Sequence, residues 1–341
     1  MKRNPNSRLL PLLLATSLFT QACILKPDAN DCFKIIPESQ SVDQPALVSV
    51  GFKVTHCSGD PVGDLQAADF RIKQDGEDIS KFEAAAATVS SNKAYVSEIL
   101  LLIDLSGSVT ASGKLTTLKD SAKKFIDSAI PPESVQSRKV AIFSFDGNTE
   151  IHKIAALSND AASLKRAIDS ISCPGSYCSD STTNLYGAVW NAVISMDAQV
   201  LQDSQLHRES IYNGSVVVFT DGTDRAQRAT RDQAVNAVKR SKTAVFTVGV
   251  GAEYDEAVLK QLGKSGYFAA TDYTQLGEAF TKVADEIENE ANSHYILHLC
   301  SDRRNNASHK LEIGVEADGL TGSFTTDFSS SAFTGGCVLP K

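Results

Sequence analysis

The chain has 341 residues, of which 42% are hydrophobic and 22% are charged, the composition of an ordinary soluble globular protein of about two or three domains. This composition excludes a disordered chain, a collagen and a membrane protein with many spans. Lys and Arg number 33 against 41 Asp and Glu, a net charge of −8, and no basic block supplies the positive surface that nucleic-acid binding requires. We therefore expect no nucleic-acid partner.

Residues 1–22 have the pattern of a secretory signal peptide. Three basic residues precede an apolar run at residues 9–19, which is too short to span a bilayer as a stable helix. The run ends in a small residue, Ala22, followed by Cys23, and this segment resembles the cleavage box of bacterial lipoproteins. The resemblance implies a diacylglycerol on Cys23, with a plain secretory peptide as the alternative. Cleavage removes three basic residues from a chain of net charge −8 and leaves −11.

The segment from residue 23 to residue 92 has the pattern of β-strands. Apolar side chains alternate with polar or small ones over residues 48–54, the period of a strand with one buried face. The same alternation at residues 70–73 precedes Asp75-Gly76, a pair that favours a tight hairpin turn. We predict that this segment is the N-terminal part of a β domain.

From residue 93 the hydrophobic period changes. Residues 95–104 are an apolar strand, and residues 115–129 carry apolar side chains at spacings of three and four, which is a helical stripe. Strands buried on both faces and separated by amphipathic helices predict a doubly wound, mostly parallel sheet, so we assign residues 93–290 to one α/β domain. The further strands are predicted at 140–145, 215–219, 244–250 and 267–270, and the further helices at 161–168, 185–196, 234–238 and 276–287.

After residue 287 the period returns to two. Tyr295, Leu297 and Leu299 share one face of a strand, and later strands are predicted near residues 311–315 and 324–328. Neither β flank is long enough to bury a sizeable core alone. We therefore predict one β-sandwich, made from residues 23–92 and 291–341, with the α/β domain inserted between its two parts.

Six cysteines remain besides Cys23, and export places them in an oxidising compartment where disulfides persist. Three disulfides are expected, and zinc is disfavoured because the chain has only one close pair. That pair, Cys173 and Cys178, brackets a turn-rich loop and is expected to be bridged. The other four allow three connectivities, of which we prefer the one that joins the two parts of the sandwich, Cys57–Cys300 with Cys32–Cys337.

Oxygen-bearing side chains follow the apolar strands of the α/β domain. Asp104, Ser106 and Ser108 come directly after the first strand, Asp221 follows a later strand, and Thr183 stands just before a helix. Ligands of doubly wound sheets bind at the carboxyl ends of the strands, where these residues are expected to meet. Each alone is typical of a turn or a helix cap, but the ordered set of three hydroxyls and two carboxylates favours a site for a hard cation.

This set resembles the metal-ion-dependent adhesion site of the von Willebrand factor type A domain family. The similarity covers about residues 93–290 and includes the order of the elements. It implies that the hydroxyls of Ser106, Ser108 and Thr183 hold Mg²⁺, or Mn²⁺ or Ca²⁺, while Asp104 and Asp221 contribute directly or through water. Residues 59–65 and 67–70 also resemble, more loosely, bacterial proteins that carry such a domain inside a β-rich frame.

The charge of such a site predicts its use. Mg²⁺ bound by neutral hydroxyls and at most two carboxylates keeps positive character and a position that an Asp or Glu of a protein ligand can fill. The three motifs contain no His or Lys to act as a base and no Gly-rich phosphate loop, so we expect a binding protein and no enzyme. The alternatives are a periplasmic scaffold, a site that binds no metal, and a metal-dependent hydrolase.

The expected location is the cell envelope. Residue 24, which follows the lipidated cysteine, is Ile and gives no Asp-type retention signal, so the lipoprotein resemblance implies the outer membrane. We thus expect a lipid-anchored protein used for adhesion or envelope assembly.

Four further side chains receive structural interpretations. Trp190 is predicted in the core, Asp146 at a turn, and His294 and His298 as ordinary residues of a sheet.

Overall fold

The structure is a computed structural model that describes residues 32–79, 87–91, 95–111, 113–132, 137–207 and 210–340. The predicted signal peptide and Cys23 lie outside these residues. Among the helices of the described ranges, none is long and apolar enough to cross a membrane.

The described residues form 14 strands and seven α-helices, with one 3-10 turn at Ala67–Asp69. The strands are β1 (Phe33–Asp43), β2 (Leu47–His56), β3 (Phe70–Gln74), β4 (Glu77–Asp78), β5 (Ala87–Ser91), β6 (Tyr95–Asp104), β7 (Ser137–Phe145), β8 (His152–Ser158), β9 (Ile211–Thr220), β10 (Ala244–Val250), β11 (Gly266–Ala270), β12 (His294–Cys300), β13 (Ser308–Ala317) and β14 (Leu320–Ser329). The helices are α1 (Gly107–Ala111), α2 (Leu115–Ala129), α3 (Ala161–Asp169), α4 (Leu185–Leu206), α5 (Arg231–Arg240), α6 (Glu256–Leu262) and α7 (Leu276–Asn292).

The central sheet has the strand order β11-β10-β9-β6-β7-β8. All of its neighbouring strands are parallel except the edge strand β8, which runs antiparallel to β7. Helices α2, α3 and α7 pack on one face and α4, α5 and α6 on the other. Every residue of β6 is buried, which explains why this strand is apolar without alternation. The predicted doubly wound, mostly parallel sheet is confirmed.

The two chain ends form a pair of antiparallel sheets, β1-β2-β12-β5 and β14-β13-β3-β4. Strand β12 pairs with β2 and β5, and β13 pairs with β3, so each sheet contains strands from both ends of the chain. A single core joins the sheets, in which the rings of Phe52, Phe70 and Tyr295 lie in mutual contact. The predicted sandwich around an inserted α/β domain is confirmed.

The disulfides correct one prediction. Cys173 is bridged to Cys178, as the loop between them suggested, but Cys32 is bridged to Cys57 and Cys300 to Cys337. The preferred pairs Cys57–Cys300 and Cys32–Cys337 are wrong. Cys300 lies opposite Leu47, at the start of β2, whereas Cys57 follows the other end of that strand. Ten residues of strand separate the two positions by about 30 Å, whereas bridged Cα atoms lie within about 7 Å.

The prediction that Trp190 belongs to the core is also wrong, since 37% of its surface is exposed. Helix α4 turns Leu185, Ala188, Val189, Ala192 and Met196 toward the sheet, and Trp190 lies on its other side.

A charged cluster around one buried histidine joins the sandwich to the α/β domain. His294 begins β12 and is 3% exposed, with its Nδ1 atom 2.9 Å from a carboxylate oxygen of Glu38 on β1. Its Nε2 atom lies 3.7 Å from Glu290 of α7, which also pairs with Lys53 of β2, and its ring stacks on Tyr95 of β6. Burial alone would lower the pKa of His294, but Glu290 and Glu38 outweigh this effect and raise it.

This cluster predicts a pH dependence of stability. Because the pKa of His294 is raised on folding, its stabilising contribution is fully present below the unfolded value of about 6.5 and is lost as the pH rises through the folded value. The difference in unfolding free energy between wild type and His294→Gln should therefore shrink as the pH is raised from about 5.5 to about 9, measured by urea unfolding.

The matched control is His298→Gln. Burial lowers the pKa of His298, so wild type should lose its advantage over this variant as the pH falls. Equal slopes for both variants would contradict the account.

Candidate metal centre

The site is built on two neighbouring parallel strands. Ile103 of β6 lies opposite Phe219 of β9, so the next residues, Asp104 and Thr220, end the two strands side by side. The Thr220 hydroxyl donates to Asp104 Oδ2 over 2.7 Å, and the backbone N–H of Ser106 donates to Oδ1 over 2.9 Å. Burial raises the pKa of Asp104 to about 6 despite these two donors. Both oxygens of this carboxylate are thus held by the protein.

A chain of oxygens continues from this turn to Asp221. The Ser106 and Ser108 hydroxyls lie 3.3 Å apart, and Ser108 donates to Asp221 Oδ1 over 2.6 Å. Thr183 borders the same space, because a Cβ atom on Gly222 would lie 3.8 Å from Thr183 Oγ1 and 3.9 Å from Ser108 Oγ. The structure therefore brings all five predicted residues to one edge of the sheet.

Asp146 positions the loop that carries Thr183. Its Oδ2 atom accepts the N–H groups of Ser179 and Asp180 over 2.9 Å each, and its backbone carbonyl accepts the N–H of Asn184. Burial would raise the pKa of Asp146, but the N–H donors outweigh it and leave the pKa below its usual range. The predicted turn role of Asp146 is confirmed, and that turn places Thr183.

The loop after β9 is hydrogen-bonded to the backbone of Thr183. The N–H groups of Arg225 and Ala226 both donate to the Thr183 carbonyl. Asp224, the next acidic residue after Asp221, accepts the N–H of Tyr186 at the start of α4 and the N–H of Gln227. Both carboxylate oxygens of Asp224 thus accept backbone N–H groups, and the bond from Tyr186 connects this loop to α4.

Sequence reasoning missed two residues of the site. Thr220 stands directly before Asp221, and its position at the end of a strand was a usable signal. Tyr273 follows β11 and is buried, and its hydroxyl donates to Asp221 Oδ2 over 2.7 Å. Burial and then the Asp221 charge raise the pKa of Tyr273. No motif marks this tyrosine, because only the fold brings the β11–α7 loop beside β9.

The donor set is that of a hard cation. In the described part of the chain no three His, Cys, Asp or Glu side chains come together as a metal-binding group. The assembled groups are instead three neutral hydroxyls and two carboxylates, and oxygen donors of this kind are those that Mg²⁺, Mn²⁺ and Ca²⁺ prefer.

Comparison with known proteins gives the class of this fold. Residues 98–282 match the profile of the von Willebrand factor type A domain, and this match covers more than half of the chain. The protein therefore belongs to the von Willebrand factor type A domain family. A search of curated proteins finds no match to the chain.

Several solved structures are similar in fold. A proximal thread matrix protein from the mussel byssus is 16% identical over 62% of this chain and 51% of its own, with a TM-score of 0.44. The chain thus spans about half of the mussel protein. A von Willebrand factor type A protein from Catenulispora acidiphila is 11% identical over 89% of this chain and 74% of its own, with a TM-score of 0.45. The vWF domain of the type V pilus tip protein Mfa5 from Porphyromonas gingivalis is 13% identical over 56% of this chain and 95% of its own, with a TM-score of 0.40.

Gly107 allows the serine turn to touch the Thr183 loop, which gives a prediction. Its N–H donates to the Ser181 carbonyl, and a Cβ atom at this position would lie 2.9 Å from that oxygen. Gly107→Ala should therefore push the two loops apart and lower the unfolding free energy by about 1–3 kcal/mol in urea. Gly335→Ala is the control, because its Cβ would meet nothing within 4 Å. If both variants have the unfolding free energy of wild type, the contact between the two loops does not contribute to stability, and the prediction is wrong.

Proposed function

We propose that this protein binds a protein ligand through a divalent cation, Mg²⁺ or else Mn²⁺ or Ca²⁺, at the edge of its α/β sheet. The observation that carries the proposal is the unbroken chain of oxygens from Ser106 through Ser108 to Asp221, with Thr183 beside it. These side chains would hold the ion, and Asp104 would orient Ser106 by accepting its backbone N–H.

The spacing of the oxygens supports this proposal. Adjacent ligands of an octahedral Mg²⁺ with bonds of about 2.0–2.1 Å lie about 2.9 Å apart. The pairs Ser106–Ser108 and Ser108–Asp221 are separated by 3.3 and 2.6 Å, on either side of this value. A small shift of hydroxyls that now bond to one another is enough to turn them toward an ion.

The surrounding residues have defined tasks in this arrangement. Asp104 fixes the Ser106 backbone, and its negative charge lies behind the site. Tyr273 holds Asp221 Oδ2, which leaves Oδ1 facing Ser108. When bound, the ion would supply positive charge and a coordination position for a carboxylate of the ligand.

Binding is favoured over hydrolysis by the neighbours of the site. Among the hydrogen bonds of the described residues, none joins a His or Lys side chain to the five candidate ligands, so no base is placed to activate water there. We propose a role in adhesion or in the assembly of envelope structures.

Titration calorimetry with Mg²⁺ tests the metal site. Asp221→Asn and Asp104→Asn should each weaken Mg²⁺ binding by about 10- to 100-fold, because one changes a ligand and the other the group that orients Ser106. Asp318→Asn is the matched control, since it makes the same change of charge at the distant β13–β14 turn, where φ is 50° and Asn is tolerated. Equal Mg²⁺ affinity in all four proteins, or no heat with wild type, would contradict the proposal.

We also propose that the protein is anchored to the envelope, in the outer membrane, by a lipid on Cys23. Cys23→Ser should move the protein from the membrane fraction to the soluble fraction, because the diacylglycerol carries the membrane affinity. Fractionation with blotting measures this, and mass spectrometry of the N-terminal peptide reads the lipid. A variant that stays in the membrane fraction, together with an unmodified wild-type peptide, would overturn the anchor.

A further inference from the structure

Helix α4 carries an apolar stripe on the side that faces away from the sheet. Six large apolar side chains are exposed among the described residues, and four of them lie on α4. Three of these four form the stripe: Trp190, Ile194 and Leu201. Their spacings of four and seven residues place them within about 40° of arc on the helix. The stripe extends about 16 Å, or three helical turns.

The stripe borders a continuous groove. A cavity of about 440 Å³ lies between α4 and α5 and is lined by Trp190, Ile194, Ala237 and Arg240. A second cavity of about 630 Å³ continues from it past Leu201 to the junction with the sandwich. The two cavities share Arg240 in their walls. We call these two cavities together the α4–α5 groove.

The walls of the α4–α5 groove are fixed. Asp197 interrupts the apolar stripe, and its Oδ1 atom accepts hydrogen bonds from the Ser241 and Thr243 hydroxyls over 2.6 and 2.7 Å. These bonds tie α4 to the segment after α5. The polar group within the stripe is thus already hydrogen-bonded, and the other three side chains of the stripe are apolar.

The charged side chains of the groove that lack a partner among the described residues are positive. Arg240 and Lys242 line the groove and are exposed, and neither takes part in an ion pair among the described residues. The acidic residues Glu38 and Glu290, which also line it, are already engaged by His294 and Lys53. The chain as a whole has a net charge of −8, so this local excess of cations stands out from the remaining surface. A second copy related by a two-fold axis would bring the same cations together, which disfavours self-association.

We propose that the α4–α5 groove is a docking surface for an acidic amphipathic helix of a partner protein. Apolar side chains at spacings of four and seven would pack on Trp190, Ile194 and Leu201, and a carboxylate of the partner would pair with Arg240. Trp and Arg are the residues that most often dominate such interfaces. This surface acts without the metal, so its test is independent of the function proposed above.

The only tryptophan of the chain, Trp190, reports on this groove by fluorescence. The probe is a synthetic helical peptide with leucines at the stated spacings and flanking glutamates, and its twin carries lysines in place of the glutamates. The full-length chain is titrated with each in EDTA. The acidic peptide should shift the Trp190 emission to the blue, saturate, weaken with added salt and bind about tenfold more tightly than the lysine peptide.

Variants separate the groove from nonspecific binding. Ile194→Asp should weaken the acidic peptide by about tenfold or more, and Arg240→Glu should reverse the preference toward the lysine peptide. Val338→Asp is the control, because Val338 is 83% exposed outside the groove. Circular dichroism confirms that each variant is folded. No emission shift, equal binding of both peptides, an unchanged preference in Arg240→Glu, or a dimer in sedimentation that Ile194→Asp abolishes would each overturn the proposal.

Discussion

The candidate metal centre depends on one buried carboxylate. Asp104 ends a strand that is buried along its whole length, and a charge in that position is tolerated only with donors on both oxygens. The Ser106 N–H and the Thr220 hydroxyl are those donors. The bond from the Ser106 N–H holds the turn after β6, which carries Ser106 and Ser108 at the sheet edge. The bond from the Thr220 hydroxyl connects this turn to the end of β9. Because Asp221 directly follows Thr220, the Thr220–Asp104 hydrogen bond also positions Asp221.

The way the α/β domain is inserted determines which edge is left open. The chain enters this domain at Tyr95 and leaves it through α7 into β12, and Tyr95 stacks on the first residue of β12, His294. The sandwich is therefore joined at the amino end of β6, about 30 Å along the strand from Asp104. At the opposite edge Ser108 is exposed.

Repeating patterns made most of the fold predictable. A period of two in β2, of three and four in α2, and an unbroken apolar run in β6 each follow from which faces are buried. Strand β8 and helix α6 escaped prediction because β8 is a half-buried edge strand and α6 is short. The five candidate residues could be predicted because each lies in a short motif at a strand or helix end. The disulfide pairing, Tyr273 and the exposure of Trp190 depend on register and packing, which local patterns do not encode.

Crystals grown with Mn²⁺ give the most direct test of the metal centre, because anomalous scattering locates the ion without assumptions about affinity. The account predicts one strong anomalous peak in contact with the hydroxyls of Ser106 and Ser108 and beside Thr183 and Asp221. A well-ordered site at saturating Mn²⁺ with no peak, or with a peak elsewhere on the molecule, would contradict it.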